Sequence, residues 1–523
     1  MNVASNATSN IITASAASGL QKTSPSFHLV IPASEANANL CKTILSASIL
    51  NYPAPTLINY GKNFTGDSWD KGTHTGKIRG IYDFLENAKH IADQDLVLII
   101  DGYDVWFQLP PEVLIERYNS ITRRANQRLR KQYGVSTSKE PAEDGQKEQM
   151  SMYSQRVIYA ADKLCWPNAE EDPACTAVPF STLPKNTYGT DTDKDPHGFL
   201  NRPRYLNSGT VMGPASDLRA ILERATTKVE KDGRGDLGDQ FVFSEIFGEQ
   251  EYVREAIRRA RQSAGGKWLS WLSNSLGTSE ASSNVTVKNM TFVPGQRYEF
   301  ALGLDYESQL FQTMTHSHGD IEFLYYNDTE TLTHVQEQQH IPSAHSLSLP
   351  LDVQRSALPL IAQPPAQTEG TGSESNAYDL DRVSMNMSWS TIALATNPHV
   401  PSIPTMLHFN GDKTYLSSWW TKMWYQPDSR ALLRHYMQST RGTSAAHAAA
   451  AGTDGSWNSR GGKGGVWTDT AQWLGWGETC RGYEEEVFGD GKGVWGQEDG
   501  VKKVYNSFGK LIEGEPDEND ILQ

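Results

Sequence analysis

The fold is decided by one stretch of the sequence, Asp95-Leu96-Val97-Leu98-Ile99-Ile100-Asp101-Gly102-Tyr103-Asp104-Val105-Trp106-Phe107, in which an apolar run ends in two carboxylates. A Leu/Val/Ile run of this length predicts a strand buried on both faces, as in a parallel sheet. Such sheets bind ligands at the carboxyl ends of their strands, where Asp101 lies. Gly102 allows a sharp turn, so that Asp101 and Asp104 can face one bound cation while Tyr103 lies against a base or ribose. A structural role stays open, since strands also end in Asp to terminate pairing or to cap a helix.

Composition and charge exclude several classes of protein. The chain has 523 residues and a formal net charge of −15, so it lacks the basic field that a general nucleic-acid binder needs. No apolar window reaches the length of about eighteen residues that a membrane helix requires. The polar segment 1–26 lacks the charged start and apolar core of a signal peptide. We therefore expect no nucleic-acid partner and no transmembrane segment in this chain.

The cysteines and the glycosylation sequons indicate in which compartment of the cell the protein is located. Cys165 and Cys175 flank a loop long enough to close as a disulfide, and the cysteine spacing does not match a zinc site. Asn-x-Ser/Thr sequons are compatible with a secretory route. They begin at Asn6, Asn63, Asn284, Asn289, Asn327 and Asn386. The expected location is the lumen of the secretory pathway, in the Golgi or the ER.

Predicted strands and helices alternate along the chain, which indicates an α/β fold with a doubly wound sheet. A strand over 27–33, a helix reaching Leu50 and a strand near 55–60 precede an amphipathic helix over 78–91. Polar insertions are predicted at about 132–151, 262–284 and 358–384. The predicted division of the chain is a flexible segment over 1–26, one domain over 27–440, and over 441–523 a low-complexity linker with a Trp/Gly-rich tail.

A second cluster of polar residues strengthens the cation hypothesis. His408 follows a short apolar strand and is itself followed by the turn Asn410-Gly411 and by Lys413. The imidazole can supply a neutral nitrogen to the cation that Asp101 and Asp104 hold, and the lysine can neutralise diphosphate oxygens. Two carboxylates and one imidazole suit Mn²⁺. A lone His can equally be a structural residue.

Two further stretches indicate sugar or phosphate binding. The strand 204–214 contains Asn207 and Gly209, and its glycines allow a ligand to approach the backbone closely. Asp239 and Gln240 begin a later helix. A carboxylate and an amide at that position can bind sugar hydroxyls, or the carboxylate can simply cap the helix.

Together these stretches resemble the glycosyltransferase domain of the procollagen lysyl hydroxylase and glucosyltransferase family, which has the GT-A fold. The resemblance covers roughly residues 27–425 and keeps the family's order. The matching stretches are Gly72–Arg79, Asp101–Asp104, Lys163–Pro167, Arg204–Gly213, Asp239–Gln240, Leu304–Gln312 and His408–Gly411.

The resemblance implies a GT-A type, Rossmann-like nucleotide-sugar-binding domain with a mixed, mainly parallel sheet. It implies a Mn²⁺-dependent transferase that moves a hexose from a UDP-sugar to a hydroxyl of a protein or glycan acceptor. The metal ligands would be Asp101, Asp104 and His408. The expected donor contacts are Tyr103, Lys77, Gly209, Asn410, Gly411 and Lys413. The expected catalytic or acceptor contacts are Asn207, Asp239 and Gln240.

The sequence departs from the family pattern at several positions, and three other functions were weighed against the transferase. His74 and Thr75 stand where the family tends to have Gly and Gln, and Gly102 replaces the usual Ser. No part of the sequence resembles the family's hydroxylase domain, and the short motif from His318 to Asp320 lacks a suitable distant His. A haloacid-dehalogenase-type phosphatase needs its second Asp two residues after the first, so the observed spacing speaks against it. A non-catalytic module that binds nucleotide-sugar or glycan stays open.

Overall fold

The structure is a computed structural model that describes most of the chain. The described residues are 25–65, 72–137, 149–232, 237–262, 290, 292–293, 295–341, 346–358, 387–438, 462–498, 504–505 and 511–512. The predicted flexible segment over 1–26 and the predicted insertions at 262–284 and 358–384 therefore lie outside the described residues, except at their ends.

Strands and helices alternate over the first half of the chain. The described strands are β1 (Phe27–Pro32), β2 (Thr56–Ile58), β3 (Leu96–Ile100), β4 (Val105–Phe107), β5 (Val135–Thr137), β6 (Gln149–Ser151), β7 (Val157–Asp162), β8 (Tyr205–Pro214), β9 (Leu302–Asp305), β10 (Phe311–Thr313), β11 (Glu322–Leu324), β12 (Leu394–Thr396), β13 (Met406–His408), β14 (Gly465–Thr468), β15 (Trp473–Gly475), β16 (Val504–Tyr505) and β17 (Leu511–Ile512). The described helices are α1 (Ala38–Ile49), α2 (Thr73–Asn87), α3 (Pro111–Tyr133), α4 (Pro173–Thr176), α5 (Ala215–Asp232), α6 (Asp239–Gln262), α7 (Thr329–Gln338), α8 (Leu351–Arg355), α9 (Thr414–Ser418), α10 (Ser429–Gln438), α11 (Trp476–Cys480) and α12 (Glu484–Phe488).

The centre of the molecule is an eight-stranded mixed sheet with the order β15-β14-β2-β1-β3-β8-β7-β9. Strands β14, β2, β1 and β3 run parallel to one another, and β7 runs parallel to β9. Strand β8 is antiparallel to both β3 and β7, and β15 is antiparallel to β14. The prediction of a mixed, mainly parallel α/β sheet is confirmed, and the architecture is compatible with a Rossmann-like fold.

Strand β3 lies inside this sheet and is buried on both faces, as its sequence predicts. Leu98 and Ile100 belong to one hydrophobic core, and Val97 and Ile99 belong to the core on the opposite face, because successive strand residues point to opposite sides. Helix α1 covers the first face, and α2, α5 and α6 cover the second. Each fully buried aliphatic side chain contributes about 1.5–3 kcal/mol of transfer free energy.

The apolar stretch over 95–107 does not form one strand that continues to Phe107. Strand β3 ends at Ile100, and β4 belongs to a separate three-stranded sheet with the order β10-β13-β4. The chain bends at residues 102–104, and a Cβ on Gly102 would lie 2.8 Å from the carbonyl oxygen of Pro32. Only glycine fits this close approach, and the turn it allows separates the two strands. Asp101 and Asp104 lie on either side of that turn.

Residues of the predicted C-terminal tail contribute to the central sheet. Strand β14 pairs in parallel with β2. Just after β2, the backbone N–H of Asn59 donates a hydrogen bond to Oδ2 of Asp469 at 3.0 Å. Cys41 on α1 forms a disulfide with Cys480 on α11. The predicted boundary at residue 440 therefore lies between segments that share one sheet. The expected disulfide between Cys165 and Cys175 is present.

Removal of the Cys41–Cys480 disulfide is expected to lower the free energy of unfolding by about 2–4 kcal/mol. The bond joins residues separated by 439 positions, so it restricts the unfolded chain far more than the Cys165–Cys175 bond, whose separation is 10. Denaturant unfolding of a Cys41→Ala/Cys480→Ala variant measures the effect. The matched control is Cys165→Ala/Cys175→Ala, and an equal or larger loss in that control would contradict the prediction.

None of the helices within the described ranges combines the length and the apolar character that crossing a membrane requires.

Candidate functional site

The site forms where β3 and β13 end, next to the middle of β8 and the start of β4. Backbone N–H of Asp101, after β3, donates to the carbonyl of Gly209 on β8 at 2.8 Å. In the second sheet, His408 on β13 stands opposite Val105 on β4, and the N–H of Phe409 donates to the carbonyl of Asp104 at 2.7 Å. These ladder contacts bring two segments of the chain, about 300 residues apart in sequence, to one point.

The carboxylates of Asp101 and Asp104 and the imidazole of His408 form a cluster whose ligand atoms lie within 4.8 Å of one another. Nε2 of His408 is 3.7 Å from Oδ2 of Asp101 and 3.6 Å from Oδ2 of Asp104. The His408 side chain is buried, whereas Asp101 keeps about a third of its surface exposed. The cluster is therefore open on one side, as a site that receives a ligand must be.

The residues fit a divalent cation such as Mn²⁺. Two carboxylate oxygens and one imidazole nitrogen are a donor set that Mn²⁺ accepts. A Cβ on Gly209 would lie 2.6 Å from Nε2 of His408 and 2.7 Å from Oδ2 of Asp101, so glycine at this position keeps the space between the ligands open. Within the described part of the chain, Nδ1 of His408 has no hydrogen-bond partner, which leaves Nε2 as the nitrogen that faces the carboxylates.

The three groups shift one another's pKa values. Burial alone would lower the pKa of His408, but the carboxylates of Asp104 and Asp101 raise it above its usual value. Burial would raise the pKa of Asp104, yet His408 and Lys413 hold it well below its usual range. Burial raises the pKa of Asp101, with Lys77 opposing and Asp104 adding to the shift. Because the two carboxylates repel each other, a cation between them is favourable.

A chain of charged contacts leads from the Asp101–Asp104–His408 cluster to the first turn of α2. Nζ of Lys77 lies 2.5 Å from Oδ1 of Asp101 and 2.7 Å from Oδ2 of Asp239. Oδ1 of Asp239 lies 2.6 Å from Nδ1 of His74. Lys77 and His74 hold the pKa of Asp239 far below its usual range despite its burial. Asp239 is thus a buried, ionised carboxylate with both oxygens engaged.

Lys413 lies on the other side of the cluster. Its Nζ donates to Oδ2 of Asp104 at 2.6 Å and to the carbonyl oxygen of Phe409 at 2.8 Å. The side chain is more than half exposed. The amine therefore carries a positive charge at the open rim of the cluster, where an anionic group of a ligand would meet it.

Asn207 and Asn410 come together through Asp162, the last residue of β7. Nδ2 of Asn207 donates to Asp162 at 2.9 Å and to Oε1 of Gln240 at 3.2 Å. Nδ2 of Asn410 donates to the other oxygen of Asp162 at 3.3 Å. Gln240 donates in turn to the carbonyl oxygen of Trp166 at 2.8 Å. The buried Asp162 carboxylate ties the predicted catalytic amides to the predicted donor loop.

The predicted donor contacts Tyr103, Asn410 and Gly411 lie in or next to turns, and hydrogen bonds hold the first two in place. The Tyr103 hydroxyl donates to the carbonyl of Glu35 and accepts from its N–H, at 3.0 and 3.2 Å, so the ring is fixed beside the turn. Oδ1 of Asn410 accepts from the backbone N–H groups of Met314 and Thr315. Gly411 has φ +83°, a left-handed conformation that glycine adopts without strain.

Sequence reasoning missed two residues of this network. Asp162 ends a buried strand as Asp101 does, and that shared pattern could have identified it. His74 was recognised only as a departure from the family pattern. Its partner Asp239 lies 165 residues away, so no local signal indicated the pair.

Comparison of the sequence with protein-family models and with curated proteins found no match.

Proposed function

We propose that the protein is a metal-dependent glycosyltransferase that moves a hexose from a UDP-sugar to a hydroxyl acceptor. The observation that carries the proposal is the convergence of Asp101, Asp104 and His408, three residues with the donor set for Mn²⁺, at the carboxyl end of β3. Ligands of doubly wound sheets bind at such strand ends. The GT-A assignment belongs to this proposal and rests on the motif resemblance together with the observed mixed sheet.

In this proposal Asp101, Asp104 and His408 hold Mn²⁺. When bound, the ion supplies Lewis-acid stabilisation of the negative charge that develops on the UDP leaving group. The chain itself needs no acidic side chain at that position. Gly209 keeps the space between the ligands open, and the packing around the buried imidazole of His408 fixes its orientation before substrate arrives.

The remaining polar residues would position the donor. Lys413 projects a positive charge from the rim next to Asp104 and is suited to the diphosphate. Tyr103, fixed by Glu35, offers an aromatic face beside the turn for the uracil or ribose. Asn207 and Gln240 present amides that can hydrogen-bond sugar hydroxyls. Lys77 contacts both Asp101 and Asp239. Its role would be to orient these carboxylates and to neutralise part of the negative charge of the UDP-sugar.

In this proposal the loop that carries Trp166, whose carbonyl oxygen accepts a hydrogen bond from Gln240, lies on the acceptor side. The Trp166 side chain is 65% exposed and belongs to the loop closed by the Cys165–Cys175 disulfide. An exposed indole beside convergent amides suits the apolar face of a sugar ring. This favours a glycan or a glycosylated or hydroxyl-bearing protein as the acceptor.

Two disulfides support a location in the secretory pathway, because disulfides persist in oxidising compartments. The sequon asparagines Asn63 and Asn327 are exposed, as glycosylation requires. The other sequons lie outside the described residues.

Release of UDP from a panel of UDP-hexoses tests the proposal. We expect one donor to give UDP release that requires Mn²⁺ and that a chelator abolishes, because the leaving diphosphate needs the bound cation. UDP binding with Mn²⁺ but no release from any donor would favour the non-catalytic module. Neither binding nor release, in a protein shown to be folded by circular dichroism, would contradict both readings.

A further inference from the structure

We propose that Tyr483 is a positioning residue for the nucleotide: through the loop between β1 and α1 it holds Tyr103 beside the base of the bound UDP-sugar. That loop comprises residues 33–37. The inference rests on the proposed function, in which Tyr103 faces the uracil or ribose. It adds to the nucleotide site a residue of the C-terminal segment, 447 positions after the loop residue that it contacts.

The β1–α1 loop lies directly beside the turn between Asp101 and Asp104. Strands β1 and β3 are parallel neighbours, so the loop that follows β1 and the turn that follows β3 share one edge of the sheet. A Cβ on Gly102 would lie 2.8 Å from the carbonyl oxygen of Pro32 and 3.3 Å from Cβ of Ala33. The backbone of the turn therefore packs against the start of the loop.

The loop holds Tyr103 through both backbone groups of one residue. The Tyr103 hydroxyl donates to the carbonyl oxygen of Glu35 at 3.0 Å, and the N–H of Glu35 donates to the same hydroxyl at 3.2 Å. The position of the phenol thus follows the position of the loop.

Tyr483 contacts the same loop at the next residue. Its hydroxyl donates to the carbonyl oxygen of Ala36 at 3.1 Å. Asn37 then caps α1, because its side chain accepts a hydrogen bond from the N–H of Leu40. Three consecutive residues of the loop are therefore bonded to Tyr103, to Tyr483 and to the first turn of α1.

Tyr483 itself is fixed from both sides. It lies between α11 and α12, and Cys480 at the end of α11 forms a disulfide with Cys41 on α1. On α12, the carbonyl oxygen of Val487 accepts a hydrogen bond from Nε1 of Trp420 at 2.8 Å. Val487 is fully buried in the hydrophobic core against which the ring of Tyr483 packs. The hydroxyl is therefore presented to the loop by an anchored segment.

A third phenol lies at the same place. The N–H of Gly61 donates to the carbonyl oxygen of Ser34 at 2.8 Å, which joins the chain after β2 to the loop. Burial raises the pKa of Tyr60, and the nearby hydroxyl groups of Tyr103 and Tyr483 raise it further. All three rings are partly buried against one core. Aromatic surface is thus concentrated around the loop, as binding of a planar base requires.

This arrangement separates the base of the nucleotide from its diphosphate. A tyrosine held in place before the ligand arrives reduces the entropy that binding costs. Loss of the Tyr483 hydroxyl would release the Ala36 carbonyl and let the loop shift together with Tyr103. Asp101 and Asp104 keep their own backbone hydrogen bonds to Gly209 and Phe409 in that case. The inference therefore predicts an effect on the base and none on the diphosphate.

Tyr483→Phe tests the inference, because it removes the hydroxyl and keeps the ring. The probes are UDP and inorganic pyrophosphate, each titrated with Mn²⁺ by calorimetry, and pyrophosphate keeps the diphosphate but lacks the base. We expect UDP binding to weaken by about 3–10-fold, the effect of one uncharged hydrogen bond, and pyrophosphate binding to stay within about twofold of the parent.

Tyr103→Phe completes a double-mutant cycle. Both hydroxyls act through one loop, so the double variant Tyr103→Phe/Tyr483→Phe should bind UDP no more weakly than the weaker of the two single variants. Losses that add in the double variant would show that the two hydroxyls act independently, and would overturn the inference.

Tyr118→Phe is the matched control. The hydroxyl of Tyr118 also donates to a backbone carbonyl, that of Arg156, which precedes β7 at the end opposite Asp162. This variant should bind both probes as the parent does. With folding verified by circular dichroism, unchanged UDP affinity in Tyr483→Phe, an equal loss for pyrophosphate, or an equal loss in Tyr118→Phe would overturn the inference and leave the transferase proposal intact. Absence of Mn²⁺-dependent UDP binding in the parent would count against the transferase itself.

Discussion

Asp104→Ala is expected to abolish Mn²⁺-dependent UDP binding. Replacement of residues that only support metal ligands typically weakens metal binding 10–100-fold, so loss of a ligand should weaken UDP affinity by about 100-fold or more. Asp104 also accepts a hydrogen bond from Lys413 and lies 3.6 Å from Nε2 of His408, so the variant removes the group that contacts both side chains at the cluster. Titration calorimetry with UDP, with and without Mn²⁺, measures the effect.

Two controls make the Asp104 result specific. Asp104→Asn keeps the volume and removes the charge, so it should lose metal-dependent binding with little loss of stability. Asp83→Ala removes an exposed carboxylate on α2 and should bind UDP as the parent does. Unchanged UDP affinity in folded Asp104→Ala, or an equal loss in Asp83→Ala, would exclude Asp104 as a metal ligand.

Gly209→Ala is expected to reduce UDP release by about 100-fold, because misplacing a functional group by about 1 Å is sufficient for such a loss. The added methyl would lie 2.6 Å from Nε2 of His408 and 2.7 Å from Oδ2 of Asp101, which is closer than atoms can approach. Since both distances are too short, the buried imidazole of His408 or the carboxylate of Asp101 must leave its position. A steady-state UDP-release assay measures the change.

The matched control is Gly213→Ala on the same strand, β8. Its methyl would lie 2.8 Å from Cγ2 of Val157, at a distance from the cluster. Both variants overpack the sheet and should lose a similar 1–3 kcal/mol or so of stability, but only Gly209→Ala should lose Mn²⁺-dependent UDP binding. Equal activity in the two variants would show that the space next to Gly209 is not required.

Local sequence patterns were sufficient for the central strands and for the proximity of Asp101, Asp104 and His408. The apolar run of β3, its terminal Asp101 and the short strand before His408 each carry their signal within a few residues. Strand ends of an α/β sheet meet at one edge, so the clustering of these residues follows from the fold class. The loop between Cys165 and Cys175 was predictable for the same local reason.

Features that depend on distant pairing could not be predicted. Lys77 was predicted as a donor contact, but its contact with Asp239 could not be predicted, because Asp239 lies on α6, 162 residues further along the chain. The Cys41–Cys480 disulfide joins residues 439 positions apart, and nothing local in either segment indicates the other. The break between β3 and β4 depends on the close approach of Gly102 to Pro32, which is a tertiary contact.

The pairing of β14 with β2 has a consequence for biosynthesis. The hydrogen bond from Asn59 to Asp469 joins residues 410 positions apart, so the edge of β2 has no β14 partner until that much more chain has been made. At about 5–20 residues per second, translation of this interval takes about 20–80 s. During that time an apolar strand edge is open to pairing with other chains. Any shortened form of the protein that stops before residue 465 would keep this edge open permanently, and aggregation during expression would be its expected fate.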